Sequence, residues 1–438
     1  MSVRLSRRTA LLMGAGLLAT ACGARTPTAP AIGRAPSPAS PTDIELAFMN
    51  FDPYVKSLPK TLNADFTRRT GITVKLNNVG EASYEAVDQR VQAGLAAGNP
   101  PDLALIGLNS VRTYADAHLA APLDPYLSNG GAAFSSADFY PSFLELGKRD
   151  GKTWAVPYGV SVMLLYFNAD IFRKAGLDPD HPPTTLSQLK TAAAQIVSSG
   201  AARYGVNLSA DGSGLWGYQN LILSAGGSLM DPQETHLTLT DAKASSILQY
   251  WSDVAKSGLG QPLDRKTEQD AFLRGDLAMF FQASSSIAGL TSAKPGFPIG
   301  CAPFPIPDGG TRKAAAAGGG LVVLSRNPDK QAAAWAVIAE LTNPTSATNL
   351  TLASGYLTPN RVAAESEQYL APFYRQNPAM TAALSEVIDV VPWYQFPGRH
   401  APEIMSLVSD EFLAARRGTK TVSQALTDAT HRAEDLLP

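Results

Sequence analysis

The chain has 438 residues, a formal net charge of −2 and only two cysteines, Cys22 and Cys301. That length allows two lobes with separate cores. A near-neutral charge without a basic stretch excludes nucleic acid as a partner, and two cysteines exclude a disulfide framework or a thiolate metal site.

The first residues, MSVRLSRRTALLMGAGLLATAC, read as a secretory signal peptide over residues 1–21. Arg4, Arg7 and Arg8 form its basic head, and residues 10–19 are apolar but too short to span a bilayer. Small residues then lead to Cys22, the pattern of a lipoprotein cysteine, so Cys22 is expected to carry a lipid. Ser6-Arg7-Arg8 with Leu11 also resembles a twin-arginine signal, although Ala10 stands where Phe is usual; the export route stays open. Losing residues 1–21 removes three arginines and no acid, which leaves a charge of about −5. Residues 22–42 are nearly all Pro, Ala, Ser, Thr and Gly and cannot bury apolar surface. Such a tether, at ~3 Å per residue, would hold a folded body tens of Å from the outer face of a membrane.

Beyond the tether, Ile44, Leu46 and Phe48 alternate with polar or small residues as a strand does. Residues 58–69 read as a helix, and Ile72, Val74 and Leu76 as a second strand. Val87, Val91 and Leu95 recur at helical spacing until Gly98 and Pro100 stop them. The run DLALI at 102–106 has the look of a buried parallel strand. This alternation predicts an α/β lobe with a mainly parallel sheet. The segment WAVPYGVSVMLLYFN (154–168) then places a proline and a glycine before an apolar run. Residues 184–260 are mostly helical by period, with a loop at SADGSG. Residues 271–286 run from helix through Gly275 into a strand and a serine loop, and AAAAGGGLVVLS returns to strand character. Two apolar stripes, one through Trp335, Ile338 and Leu341 and one through Ile404, Leu407, Val408 and Phe412, make the remainder helical. Cys301 reads as a small buried apolar residue.

A lipoprotein signal, then YFNADIFRKAGLDP, AFLRGDLAMF, TNPTSATN and SGYLTPNR, occur in an order that resembles the extracellular solute-binding proteins of bacterial ABC importers. The carbohydrate type is meant, and the glycerol-3-phosphate-binding branch within it is the nearest in motifs. The resemblance implies an α/β, two-lobed periplasmic-binding-protein fold with a hinge and an interlobe ligand cleft. It places the N-terminal lobe at 43–160 plus 281–326 and the C-terminal lobe at 161–280 plus 327–438. WAVPYGVSVMLLYFN becomes the first crossing between lobes, with further crossings near Met279–Gln282 and Leu324–Arg326. Gly159 would absorb rotation and Pro157 would stiffen the entry. The implied partners are a sugar or glycerophosphate-type solute and ABC permease subunits, with the chain acting as a monomer and no cofactor required.

Carried over motif by motif, the resemblance implies ligand contacts from Tyr84, Ser161, Trp216, Ser284, Ser285, Ser286, Gly318, Gly319, Tyr356 and Arg399. Aromatic rings suit the C–H faces of sugars, hydroxyls and amides suit their hydroxyl groups, and Arg, Ser or backbone N–H groups suit phosphate. The branch carries an acid after the DLALI-type strand where this chain has Leu108, which accepts no hydrogen bond; Asn109 next to it is the substitute. Competing readings are a core aromatic for Trp216, helix packing for Tyr356, a plain turn for the glycines and an ion pair with Glu403 for Arg399. Two other classes compete with this reading. An exported enzyme acting on glycans or phosphodiesters finds no H-E-x-x-H or G-x-S-x-G, and His118, His181, His236, His400 and His431 lack metal-ligand spacing. Ser187-x-x-Lys190 lies in a helical stretch without companion motifs. An adhesive or structural surface lipoprotein is the other.

Overall fold

The opening strand shows how pattern becomes structure. In β1 (Thr42–Phe48), Ile44, Leu46 and Phe48 are buried while Glu45 turns toward Lys75. A computed structural model describes residues 41–128, 134–209 and 212–438. The signal peptide, Cys22 and all but the end of the tether lie outside the described residues. Thr42, assigned to the tether, belongs instead to β1, where it pairs with Ile72.

The expected helix at 58–69 is two helices, Asp52–Thr61 and Ala64–Thr70. Asn63 breaks the run because its backbone is extended and its Oδ1 accepts the N–H groups of Asp65 and Phe66, capping the second helix. The chain continues through β2 (Ile72–Asn78), helix Tyr84–Ala96, β3 (Leu103–Gly107), the small hairpin of β4 (Lys148–Arg149) and β5 (Lys152–Thr153), and β6 (Val156–Ser161). A second group follows: β7 (Met163–Asn168), β8 (Tyr204–Asn207), β9 (Leu277–Ala283) and β10 (Ile299–Pro303). Last come β11 (Ala314–Val323) and β12 (Val390–Pro392).

Two main sheets result, one per lobe. The first has six strands in the order β12-β11-β3-β1-β2, with β6 paired to β11; the second has four, β10-β7-β9-β8. β1, β2 and β3 form the expected parallel core, while β11 runs antiparallel to both β3 and β6. Only Val162 separates β6 in the first sheet from β7 in the second, and every residue of these two strands is buried. Continuous burial explains the apolar run there: each strand has neighbours on both faces.

The other lobe boundaries differ from the expected ones. β9 continues to Ala283 and β10 pairs with β7, so residues 281–303 belong with the second lobe and not the first. The chain returns between Pro303 and Ala314. Helix Pro328–Thr342 packs on β1 and β11, and helix Pro344–Ser354 on helix Asp52–Thr61, so this stretch belongs to the first lobe and not the second. The chain goes back afterwards: helix Pro378–Ser385 covers β10, and helices Ala401–Arg416 and Val422–Glu434 pack on each other and on helix Ala242–Lys256. Periodicity marks the buried face of a helix but does not say which sheet it covers. Among the described residues no helix is long and apolar enough to cross a membrane.

Candidate ligand site at the lobe boundary

The glycines of β11 let the tyrosines close in. Gly318 has φ 124°, and a Cβ there would stand 2.1 Å from the carbonyl oxygen of Gly159 on β6. A Cβ on Gly319 would stand 2.6 Å from Tyr84 Oη and 3.1 Å from Tyr54 Oη. Those two hydroxyls bond each other at 2.9 Å. The Tyr54 ring stacks on Tyr356 at 6.3 Å between centroids, tilts against Tyr158 at 5.7 Å and receives the edge of Phe51 at 5.1 Å. Tyr356 reaches this cluster because Gly355 ends helix Pro344–Ser354 in the left-handed conformation. The next residues then pair with β6: Leu357 N–H donates to Val160 O at 2.7 Å and Val160 N–H donates to Leu357 O at 2.9 Å. Burial pushes the phenol pKa of Tyr54 and Tyr84 well up and that of Tyr356 up as well, so the rings present neutral hydroxyls.

Asn109 folds back over Gly107, where its Oδ1 and the Cβ of Tyr84 would both block any side chain. Leu108 turns the other way and packs on Gly320, nearly fully buried. The amide of Asn109 is therefore the polar group beside Tyr84, and the leucine is core. Behind this loop, Asp88 accepts from Ser110 Oγ at 2.7 Å and Tyr114 Oη at 2.8 Å, and burial raises its carboxyl pKa to about 6.

The serine loop meets the crossing from the second lobe. Ser161 Oγ lies 3.1 Å from Ser284 Oγ and 3.4 Å from Ser285 Oγ, and Ser284 N–H donates to Val162 O at 2.8 Å. Ser286 Oγ donates to Gln282 Oε1 at 3.3 Å. A Cβ on Gly355 would be 3.4 Å from Ser285 Cα, so the turn that delivers Tyr356 rests on this loop. The structure thus brings Tyr84, Asn109, Gly318, Gly319 and Tyr356 together on the first lobe, with Ser161 and Ser284–Ser286 adjoining.

Trp216 and Arg399 are placed otherwise. The indole of Trp216 donates to Ala315 O at 2.6 Å and stacks on Trp393 at 5.6 Å, which ties helix Gly212–Ser224 to the start of β11. One face and the N–H are thereby occupied. Arg399, expected among the ligand contacts, is on the surface: Gly398 (φ 84°) turns against Pro438, and Arg399 borders a hollow shared with Leu436 and Leu437. It does not pair with Glu403, since His400 takes that carboxylate at 3.1 Å while Arg399 Nε donates to His400 Nε2. Tyr54, Tyr158, Phe51 and Trp393 join these residues only in the folded chain. Tyr158 stands in the crossing segment itself, but nothing local to Tyr54 or Trp393 separates them from core aromatics. Among the described residues no group of three or more His, Cys, Asp or Glu could hold a metal ion.

The bacterial extracellular solute-binding family matches residues 61–382. The chain belongs to that family. It is 27% identical over 402 residues to the sn-glycerol-3-phosphate-binding periplasmic protein UgpB of Pectobacterium atrosepticum, covering 87% of this chain and 88% of that one. In architecture it is similar to the cyclic α-maltosyl-1,6-maltose binding protein of Arthrobacter globiformis, with a TM-score of 0.77, 21% identity and coverage of 91% and 99%. UgpB of Mycobacterium tuberculosis in complex with glycerophosphocholine gives a TM-score of 0.76 at 23% identity, covering 89% and 97%. These two solved structures bear on the fold: two lobes, as the sheets of this extracellular solute-binding protein also show.

Proposed function

We propose that this chain captures a polyhydroxylated solute, a neutral sugar before a glycerophosphate, between its lobes and delivers it to an ABC permease. The observation that carries the reading is the convergence of Tyr54, Tyr84 and Tyr356 over Gly319, next to the serine loop of the other lobe. Rings of this kind suit the apolar faces of a pyranose, while Asn109 and the serines suit its hydroxyls. Arg399 is exposed and bonds His400 here, which supports ranking the sugar ahead of glycerol-3-phosphate. A ligand touching both lobes would favour closure by its differential affinity for the closed form. On this reading the protein binds and does not catalyse, works as a monomer and is held by a lipid on Cys22 at the outer face of the membrane.

The test is the melting temperature of the protein against maltose, trehalose, glycerol-3-phosphate and glycerophosphocholine. A ligand at 100 times its Kd adds ~2.7 kcal/mol to the native state, a shift of at least ~2 °C for a chain of this size. A shift with a sugar that is lost in Tyr356→Ala and kept in Arg399→Ala is the expected result. A shift only with the phosphate compounds, lost in Arg399→Ala, would replace the sugar by a glycerophosphate.

A further inference from the structure

Away from the tyrosines and serines, one group of charges joins the two lobes. Arg112, on the short helix Val111–Asp116 after β3, donates from Nη1 to Glu234 Oε1 at 2.6 Å and from Nη2 to the other carboxylate oxygen. Glu234 belongs to the second lobe. Its loop is closed by Asp231, which accepts the N–H groups of Thr235 and His236, and it is tied to the last helix where Leu237 N–H donates to Glu434. Arg149, on the β4–β5 hairpin of the first lobe, stands 3.6 Å from the same carboxylate. Tyr394 Oη donates to Glu234 at 3.2 Å.

Each side of this contact is fixed to its own lobe before the two meet. Tyr394 is held by Gln219 of helix Gly212–Ser224, whose amide accepts from its N–H at 2.7 Å and donates to its carbonyl at 3.0 Å. Arg112 is braced on the first lobe by Asp116 at 3.2 Å, and it donates a further bond to Gln395 O at 3.2 Å. The Arg112 side chain is only 13% exposed and that of Glu234 27%. Such a forked, partly desolvated pair is stronger and less screened than an open surface pair. Glu234 also sits at φ 58°, a conformation that a non-glycine residue adopts at a cost.

We propose that Arg112 and Glu234 form a latch across the lobe boundary, which favours the lobe arrangement seen here and so sets ligand affinity without touching ligand. Parting the lobes would strip Glu234 of two guanidinium partners, and Arg112 of its carboxylate and of the Gln395 carbonyl. An arrangement with the lobes parted there therefore lies higher than hinge geometry alone would put it. Arg112 and Glu234 are positioning residues: they act on the cleft only through the relation of the lobes. The effect on affinity rests on the interlobe ligand reading above; the effect on lobe arrangement does not.

The experiment measures the distance between spin labels on Lys56→Cys and Lys266→Cys in the ligand-free full chain carrying Cys22→Ser and Cys301→Ser. The two labelled positions lie on opposite lobes and are well exposed. Glu234→Lys, which sets a third cation beside Arg112 and Arg149, is expected to lengthen or broaden the distance. Arg112→Met should do the same more weakly, and the swap Arg112→Glu with Glu234→Arg should restore the original distribution. Distributions that superimpose on the parent in both single variants would overturn the latch. Because Glu234 lies in a surface loop, Glu234→Lys tests the idea even if Arg112→Met fails to fold. With maltose as probe, Glu234→Lys should raise Kd about tenfold, chiefly through faster release. A parent protein that ignores maltose would count against the sugar reading, and the label distances would still decide the latch.

Discussion

The two walls at the lobe boundary are built on different plans. The first-lobe wall is held largely by its own rings: Tyr54, Tyr84, Tyr158 and Tyr356 pack on one another, and the hydroxyls of Tyr54 and Tyr84 satisfy each other. The second-lobe wall spends its polar atoms on the crossings. Trp216 donates to Ala315 O, Asn220 accepts from Ala315 N–H at 2.9 Å, Gln219 holds Tyr394, and Ser284 bonds Val162 O. One wall is built mainly from contacts within its own lobe, with the Gly355 turn resting on the serine loop. The other is part of the joint.

That contrast can be broken most severely at Trp216. Trp216→Ala removes a buried ring, its stack on Trp393 and the bond to β11, and should cost about 3–5 kcal/mol, seen as a lower urea midpoint. If Trp216 served only the ligand, the midpoint would hold and ligand affinity alone would fall. Gly318→Ala comes next. Its Cβ would run into the Gly159 carbonyl at a φ that alanine resists, so strands β6 and β11 must part, at about 2–3 kcal/mol. The tyrosine wall should loosen with them, read as weakened near-ultraviolet tyrosine dichroism.

The smallest effect lies under the first wall, at Asp88. Burial raises its carboxyl to about 6, above its unfolded value, so the folded state holds the proton more tightly. Between pH 4 and 6 the folded chain therefore binds more protons than the unfolded one, and stability from this group falls as pH rises. Asp88→Asn cannot titrate. Its melting temperature relative to the parent should rise across that window by an amount worth about 2 kcal/mol, and a flat difference would remove Asp88 as the cause.

The legible part of the site was the part carried by residue type and local spacing. The glycine triplet of β11, the serine run after β9 and the tyrosine after Gly355 each stand out in a short window. Tyr54 did not: it sits on a helix like any core aromatic, and only the fold lays its hydroxyl against Tyr84. Trp216 and Arg399 were visible as residues, but their use depended on what faces them. A backbone carbonyl and a second tryptophan face Trp216, and the C-terminal residues lie beside Arg399.

The strands followed the same rule. β1, β2, β3 and β11 are long enough for alternation or an apolar run to register. β8 has four residues and β12 three, too few for a period, and both went unread in the sequence. The sequence alone determined the α/β character, because periodicity acts over a few residues; the family and the first crossing segment came through the resemblance carried by the order of motifs along the chain. Tertiary structure alone decided the sheet that each later element joins, the inward turn of Leu108 beside Asn109, and the meeting of Arg112 with Glu234. Those depend on partners many dozens of positions away or more, which no local pattern encodes.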